Sequence, residues 1–497
     1  MAVRIPLLLL LLFVNDTLVA QSEQSPDRIR DAVVSSEVEN IVRFLSSDEL
    51  RGREIGTPEI DIAARYLSTW LQAYGARPLP GRESYFQHVS LRRISSPESG
   101  RVSLADSSFH FPDYFVALNS TRGEVRGELL LLEYGSAEEI DGLDLTGKII
   151  VTRPGLNEDQ GPRQWMEEGV KKRERIEERG GLALIEIYES PILPWQVIAG
   201  SMNESHVTLA DPDEQDERQI PHIWMNGSDT DIYSFLSPNV GREVTIQMDG
   251  GETDYFSSRN VVGFIEGKDP ERKDEFLLLG AHYDHIGTRD VPDSEDGIYN
   301  GARDNAVGTA AILLAARYFA EHPPDRSVLF AAWTAEEVGL LGSSYFAENP
   351  VVPLEQIVYK LNIDGAGYND TTKVLVIGLE RTTAEGDLRH SASAFGLEAI
   401  TDPVPEQNLF DRSDNVNFAR KGIPAPTYSL GLTSFDEEIR RYYHTVEDEA
   451  DTINYSYVTA YIRSFILAAQ QIANSPEVPF WREGDPYEGA GIELYGR

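Results

Sequence analysis

The sequence predicts an α/β protein: a mixed, largely parallel sheet flanked by helices, with a separate β-rich segment inserted into the chain. Three observations carry this. At 497 residues the chain is too long for one small core. From Asn260 onward, short apolar runs alternate with helical periodicity, the pattern of a sheet layered by helices. Between about Val116 and Gln247 the texture changes to short strand-like runs closed by glycine and separated by charged loops.

In chain order, the segment from Met1 to Ala20 has a charged start at Arg4 and an apolar stretch from Ile5 to Val14, with small Ala20 before Gln21. That stretch is too short to span a bilayer and reads as a secretory signal peptide with a cleavage site. Val38 to Phe44 and Ile60 to Tyr74 then show helical spacing, the second stopped by Gly75. Gly52, Gly56 and Pro58 break regular structure between them. Residues 21–115 are therefore assigned to the N-terminal part of the main domain, and 116–255 to the insert. Within the insert, GELLLLEYG, GKIIVTRPG and LALIEIYES read as strands, Arg163 to Arg179 as a charged helix, and Asp211 to Arg218 as a polar loop. Residues 256–475 carry the strand–loop–helix alternation: VVGFIEG, FLLLGAH, a helix from Ala306 to Glu321, SVLFAAWTA, IVYKLNIDG and a closing helix from Tyr455 to Asn474. The polar, glycine-bearing tail at 476–497 reads as a surface strap.

Composition excludes several functions. With 82 acidic against 44 basic residues the net charge is −38, which repels nucleic acid and anionic lipid. The acidic loop from Asp290 to Asp296 lacks the spacing of a calcium-binding hand and reads as solvated. Cysteine is absent, which excludes disulfides, thiolate metal ligands, a cysteine nucleophile and a lipidated cysteine. The mature protein is expected to be secreted or periplasmic, with no stable membrane association once the signal is removed.

Two histidines and five carboxylates, most of them ending apolar runs, give the functional signal. They are His282 and Asp284 in FLLLGAHYDH, Asp304 in GARDNAVG, Glu336 and Glu337 in SVLFAAWTAEEVG, Asp364 in IVYKLNIDGAG, and His444 in YYHTVEDEAD. Imidazole and carboxylate suit zinc, and open α/β sheets place their sites at the carboxyl ends of the strands. In an extended segment His282 and Asp284 share a face, so the carboxylate can fix the imidazole tautomer. Alternation places His285 on the other face, as a structural or substrate-side residue. Glu336 and Glu337 point apart on an extended backbone, which lets one bind a metal and the other act as a base; a solvated pair opening a helix fits equally well. Asp304 fits a helix N-cap or a carboxylate bridging two cations, and Asp364 a turn residue or a ligand.

The combination GAHYDH, GARDN, AAWTAEEVGLLGS, LNIDGAG and YYHTVEDEAD resembles the M28 family of zinc-dependent aminopeptidases and carboxypeptidases. LRGREIGTPE, YFQHV and RSDNVNFARKGIPAP resemble its secreted bacterial members, and the insert resembles a protease-associated domain. The resemblance implies a zinc-peptidase-like fold, peptide substrates and two Zn2+ per chain. It implies one zinc on His282 and Asp364, the other on Glu337 and His444, and Asp304 bridging them. Glu336 would be the general base, and Asp284 would orient His282. The chain departs from the resemblance at Ser413-Asp414-Asn415, where similar proteins usually have Ser-Asp-His, so local substrate contacts there are open to change. The expected reaction is hydrolysis next to a free N-terminus. The alternatives are a carboxypeptidase or dipeptidase of the same family, with Arg412, Arg420 or Lys421 reading a carboxylate, a one-zinc glutaminyl cyclisation, and a non-catalytic receptor-like binding protein.

Overall fold

Three runs, Phe276–His282, Ser327–Trp333 and Ile357–Ile363, form strands in which every residue is buried. Continuous burial is what a strand covered on both faces requires, which is why these runs are apolar throughout rather than alternating. The polar exceptions inside them, His282, Ser327, Lys360 and Asn362, are buried as well.

The computed structural model describes residues 25–119, 122–157, 160–190, 194–202, 205–210, 219–228, 232–292 and 295–497. The expected signal at 1–20 and the polar loop at 211–218 lie outside these residues. The chain divides into two compact units, one made of residues up to Val89 together with Ser257–Arg497, the other of Ser90–Phe256.

In the first unit, strands β1 (Thr253–Ile265), β2 (Phe276–His282), β3 (Ser327–Trp333), β4 (Ile357–Ile363), β5 (Lys373–Ile377), β6 (Glu398–Ile400) and β7 (Thr427–Leu430) lie in the order β6-β5-β7-β4-β2-β3-β1. The central neighbours β3-β2, β2-β4 and β4-β7 are parallel, while β1 and β5 run antiparallel to β3 and β7. The sheet is thus mixed with a parallel centre, and the fold class is α/β as expected. Helix Val307–Glu321 is apolar around most of its surface, and helix Tyr455–Asn474 over most of its length; both are buried accordingly. Helices Ser35–Leu45 and Pro58–Ala73 each bury a stripe at three- and four-residue spacing, Val38, Ile41, Val42 and Leu45 in the first and Ile60, Ala63, Leu67 and Leu71 in the second. No described helix is long and apolar enough to cross a membrane.

The second unit begins at Ser90, earlier than the 116 expected from texture. The reason is pairing: Pro97–Leu104 and Gly123–Leu131 both bind Glu243–Gly250 antiparallel, so the earlier strand belongs to this sheet. Gly123–Leu131, Lys148–Thr152, Ala183–Tyr188 and His222–Asn226 form its parallel part, with helix Pro162–Glu178 between the second and third of these strands in sequence. A closed charge network pins this core. The Lys172 ammonium donates to Glu186 at 2.8 Å and to Thr152 at 3.2 Å, and the other Glu186 oxygen accepts from Trp224 at 2.9 Å and meets His222 at 2.9 Å. Every acceptor on Glu186 is thereby satisfied without solvent, the condition for keeping charge in a core.

The tail is also not the expected surface strap. Trp481 is 2% exposed and donates its indole N–H to the Gly422 carbonyl at 2.9 Å, and Glu488–Tyr495 form a helix. The indole needs both an apolar niche and an acceptor, and Phe410, Tyr487 and Gly422 supply them. Trp481→Ala should therefore destabilise the first unit by about 3–5 kcal/mol, read as a lower unfolding midpoint; an unchanged midpoint would return the tail to the surface.

Candidate metal centre

Three adjacent parallel strands deliver their last side chains to one place. His282 is the final residue of β2, Glu336 and Glu337 follow the end of β3 at Trp333, and Asp364 follows the end of β4 at Ile363. The register sets this convergence, because His282 lies beside Trp333 and Gly280 beside Asn362. After Trp333 the chain turns sharply, with Ala335 at φ +57°, so Glu336 and Glu337 leave the sheet direction. Asp304 stands just before helix Val307–Glu321, and His444 follows helix Glu437–Tyr442.

The structure brings these residues together. His282 Nε2 lies 3.1 Å from one oxygen of Asp304 and 3.2 Å from Asp364. His444 Nε2 lies 3.3 Å from the other oxygen of Asp304 and 3.3 Å from Glu337. Donor atoms of His282, Glu336 and Asp364 fall within 4.8 Å of one another, as do those of His282, Asp304 and Glu337. A cleft of about 440 Å³ opens over them, lined on its far side by Leu375, Ile377, Leu409, Leu432 and Phe435.

Asp284 sits differently from the expectation. Its carboxylate is 3.9 Å from His282 Nδ1, and the closer contact, 3.2 Å, is to its backbone carbonyl. The two carboxylate oxygens instead accept the backbone N–H groups of Glu336 and Glu337, at 3.1 and 3.3 Å. Strand alternation fails here because β2 ends at His282. For the same reason His285 does not point away: its Nδ1 meets Glu337 at 2.6 Å, and its Nε2 is buried with no described partner.

Sequence reasoning passed over several supporting residues. Asp448 accepts from the backbone N–H of Arg303 (3.0 and 2.9 Å) and of Asp304 (3.2 Å) and from the Arg303 guanidinium at 2.9 Å, so it fixes the approach of Asp304. Ser413 donates to the second oxygen of Asp364. Arg53, 1% exposed, donates to the carbonyls of Tyr283, Asn300 and Gly301 at 2.8, 2.7 and 3.0 Å. Its neighbour Gly52 has φ +68°, and a Cβ there would lie 2.4 Å from the Gly287 carbonyl oxygen, so the loop reaches this position only with glycine. The acidic stretch YYHTVEDEAD held Asp448 in plain view; nothing in the sequence separated it from its exposed neighbours.

The charges in the centre are unbalanced. Burial opposes a charged His282 ring, yet Glu336, Asp364 and Asp304 hold it well above the ordinary histidine value. Burial likewise opposes the Asp304 carboxylate, and the His282 and His444 imidazoles overcome it and depress its pKa. Burial, reinforced by Asp364, Glu337 and Asp414 and opposed by His282, raises the Glu336 carboxyl well above the usual range. Burial pushes Asp284 up to about 7. Three imidazoles, those of His282, His285 and His444, face five clustered carboxyl groups, an arrangement that binds cations or retains protons.

Part of the chain is similar to known proteins. Residues 260–468 match peptidase family M28. Over 203 residues the chain is 28% identical to the aminopeptidase YwaD of Bacillus subtilis, covering 40% of this chain and 41% of that protein. Over 198 residues it is 35% identical to the vacuolar membrane protease of Saccharomyces cerevisiae, covering 39% of this chain and 18% of that protein. The match thus spans less than half the length of these curated relatives. The aminopeptidase of Aneurinibacillus sp. strain AM-1 shares the fold, with a TM-score of 0.58 at 19% identity over 91% of this chain and 97% of that one.

The shifts fix a pH dependence for protein stripped of divalent ions. A raised imidazole contributes stability that is complete below its unfolded value of about 6.5 and is lost as pH climbs through the folded value. Asp284 has the same sign, its contribution fading as pH rises toward about 7. Asp304 has the opposite sign, but its contribution is constant well above 3.8. After chelation the melting temperature should therefore fall as pH rises above about 6.5, the unfolded histidine value. A flat or rising profile in thermal unfolding contradicts the charge assignment.

Proposed function

We propose that this chain, whose residues 260–468 match peptidase family M28, is a two-zinc exopeptidase, an aminopeptidase that releases residues from the free N-terminus of peptides. The observation that carries this reading is Asp304, whose two oxygens stand 3.1 Å from His282 and 3.3 Å from His444. One carboxylate reaching two imidazoles, each with a second carboxylate beside it, is a donor set for two ions. His282, Asp364 and one Asp304 oxygen would hold the first; His444, Glu337 and the other Asp304 oxygen would hold the second. The donors are all nitrogen and oxygen, and the surplus of buried carboxylates supplies the charge that two dications neutralise. When bound, such ions supply Lewis acidity toward a carbonyl and lower the pKa of water.

The chain's own residues do the rest. Glu336 has no side-chain hydrogen bond to a described residue and lies at the cleft, with its carboxyl raised by burial toward the range a general base needs. It takes one proton from the attacking water as that oxygen bonds to the carbonyl carbon. It then returns the proton to the amine nitrogen as the C–N bond breaks. His285 holds one oxygen of Glu337 and so directs the other toward His444. Asp284, by accepting the N–H groups of both glutamates, fixes the turn that carries them. The apolar wall of Leu375, Ile377, Leu409, Leu432 and Phe435 suits an apolar side chain at the cleaved residue.

One observation favours a second reading, a carboxypeptidase or dipeptidase. Arg412 lines the cleft, donates to the Tyr443 hydroxyl at 3.2 Å, and makes no ion pair with any described residue. A free guanidinium there suits a substrate carboxylate.

We further propose that Met1–Ala20 is an export signal and that the second unit is a protease-associated insert, its boundaries being Ser90–Phe256. N-terminal sequencing of exported protein should begin at Gln21; a start at Met1 removes the signal. For the chemistry, the zinc-loaded protein should cleave aminoacyl anilides faster than N-blocked peptides with free carboxyl ends. Glu336→Ala should lower that rate by about 10²–10⁴ with zinc content unchanged. Near-wild-type turnover in that variant rules out Glu336 as the base, and preference for the blocked peptides favours the second reading.

A further inference from the structure

Two paired strands form the floor of the cleft over the metal centre. β5 and β7 run antiparallel with Leu375 beside Ser429 and Ile377 beside Thr427, and side chains of such cross-strand partners stand on the same face. All four line the cleft. The residue between the two hydroxyls faces the other way: Tyr428 is hydrogen-bonded to Ser464 of helix Tyr455–Asn474 at 2.8 Å, and its ring packs on Phe465. Leu375, Ile377, Thr427 and Ser429 are at most 7% exposed, whereas Asp411 and Arg412, the charged lining residues outside the metal centre, are exposed. The cleft therefore leads from a charged mouth to an uncharged floor that is half hydrocarbon and half hydroxyl.

Hydrogen bonds tie this floor to the centre. Asn362 donates to Thr427 Oγ1 at 3.3 Å and to Ser413 Oγ at 2.8 Å, and Ser413 in turn donates to Asp364. Thr427 is thereby committed to the framework. Ser429 is not: its hydroxyl lines the cleft and makes no hydrogen bond with a described residue. When a substrate side chain enters, a hydrocarbon tip displaces water from that hydroxyl and leaves it unpaired, whereas a neutral polar tip of the same shape pairs with it. A charged tip would be carried away from solvent to a floor without a counter-charge. We propose that Ser429 is a specificity-determining residue. Its hydroxyl selects, in the released N-terminal residue, an apolar shaft with a neutral hydrogen-bonding tip, as in asparagine or glutamine, over the hydrocarbon or thioether of similar shape. The apolar walls hold the shaft and the floor reads its end. This deepens the aminopeptidase reading and rests on it.

The test uses the zinc-loaded full-length chain and two near-isosteric pairs of anilides, asparaginyl against leucyl and glutaminyl against methionyl, read as release of the aniline. The ratio of kcat/KM within a pair does not depend on how much of a preparation is active, so a merely structural role for Ser429 would leave it unmoved. Ser429→Ala should lower the polar-to-apolar ratio by about ten-fold in at least one pair, because one substrate loses a hydrogen bond and the other no longer strands a hydroxyl. A fall of less than about three-fold in both pairs, or a rise, overturns the proposal. Ser429→Thr keeps the hydroxyl and should hold both ratios within about three-fold of wild type; a fall matching that of the alanine variant means that shape, not the hydroxyl, sets the preference, and overturns it too. Should Ser429→Ala release no aniline at all, Ser429→Cys, of similar size with a much weaker donor, is judged by the same ratios. A wild-type chain that cleaves no aminoacyl anilide overturns the aminopeptidase reading and this inference together, whereas cleavage with unmoved ratios overturns this inference alone.

Discussion

The centre depends on Asp304 being held between two imidazoles. Its position is imposed from behind: Asp448 binds the backbone N–H of Arg303 and Asp304 and the Arg303 side chain at once. Arg303 is in turn fixed by Thr452 and by the face of Tyr442, 3.7 Å from its guanidinium carbon. On the other side Asn305 donates to the Ile363 carbonyl at 3.0 Å, tying the same turn to the end of β4. A carboxylate with this backing is held facing both histidines at once.

The remaining side chains are arranged around the charge this creates. Carboxyl groups are concentrated where parallel strands end, and the surrounding protein does little to neutralise them. Arg53 is the nearby exception: burial pushes its guanidinium down to about 10, against the pull of Asp284, Asp304, Asp448 and Glu337. It is spent on backbone carbonyls rather than on the carboxylates, so it supports the loop geometry and leaves the cluster free for cations. The second unit handles buried charge in the opposite way. There the Glu186 carboxylate is met by Lys172, His222 and Trp224, and the Lys172 ammonium also donates to Thr152 and to the carbonyls of Arg153 and Gly155, so neither charge is left open to a ligand.

Much of this was legible in the sequence, for identifiable reasons. The strands β2, β3 and β4 are apolar runs of strand length that end in chemically distinctive residues, and helix Tyr455–Asn474 carries its own periodicity. His282, Glu336, Glu337 and Asp364 could be picked out because they close such runs, whereas Asp304 and His444 stood out only through the combination of motifs that resembles a known family. The start of the second unit was misplaced by texture, since Pro97–Leu104 is polar and only its pairing with Glu243–Gly250 shows where it belongs. The tail looked like a strap because its most deeply buried side chain, Trp481, is followed in sequence by charge and glycine.

The sequence by itself determined the fold class, the order of the elements and the set of side chains available for the chemistry, because periodicity and residue type are local properties. Tertiary structure decided which oxygen of Asp304 serves which histidine, that Asp284 caps two amides instead of orienting an imidazole, and that His285 turns inward beside Glu337. Those outcomes depend on strand register, on where a strand stops and on the charge a buried group meets from segments far away in the chain. None of these quantities is carried by any single stretch of sequence.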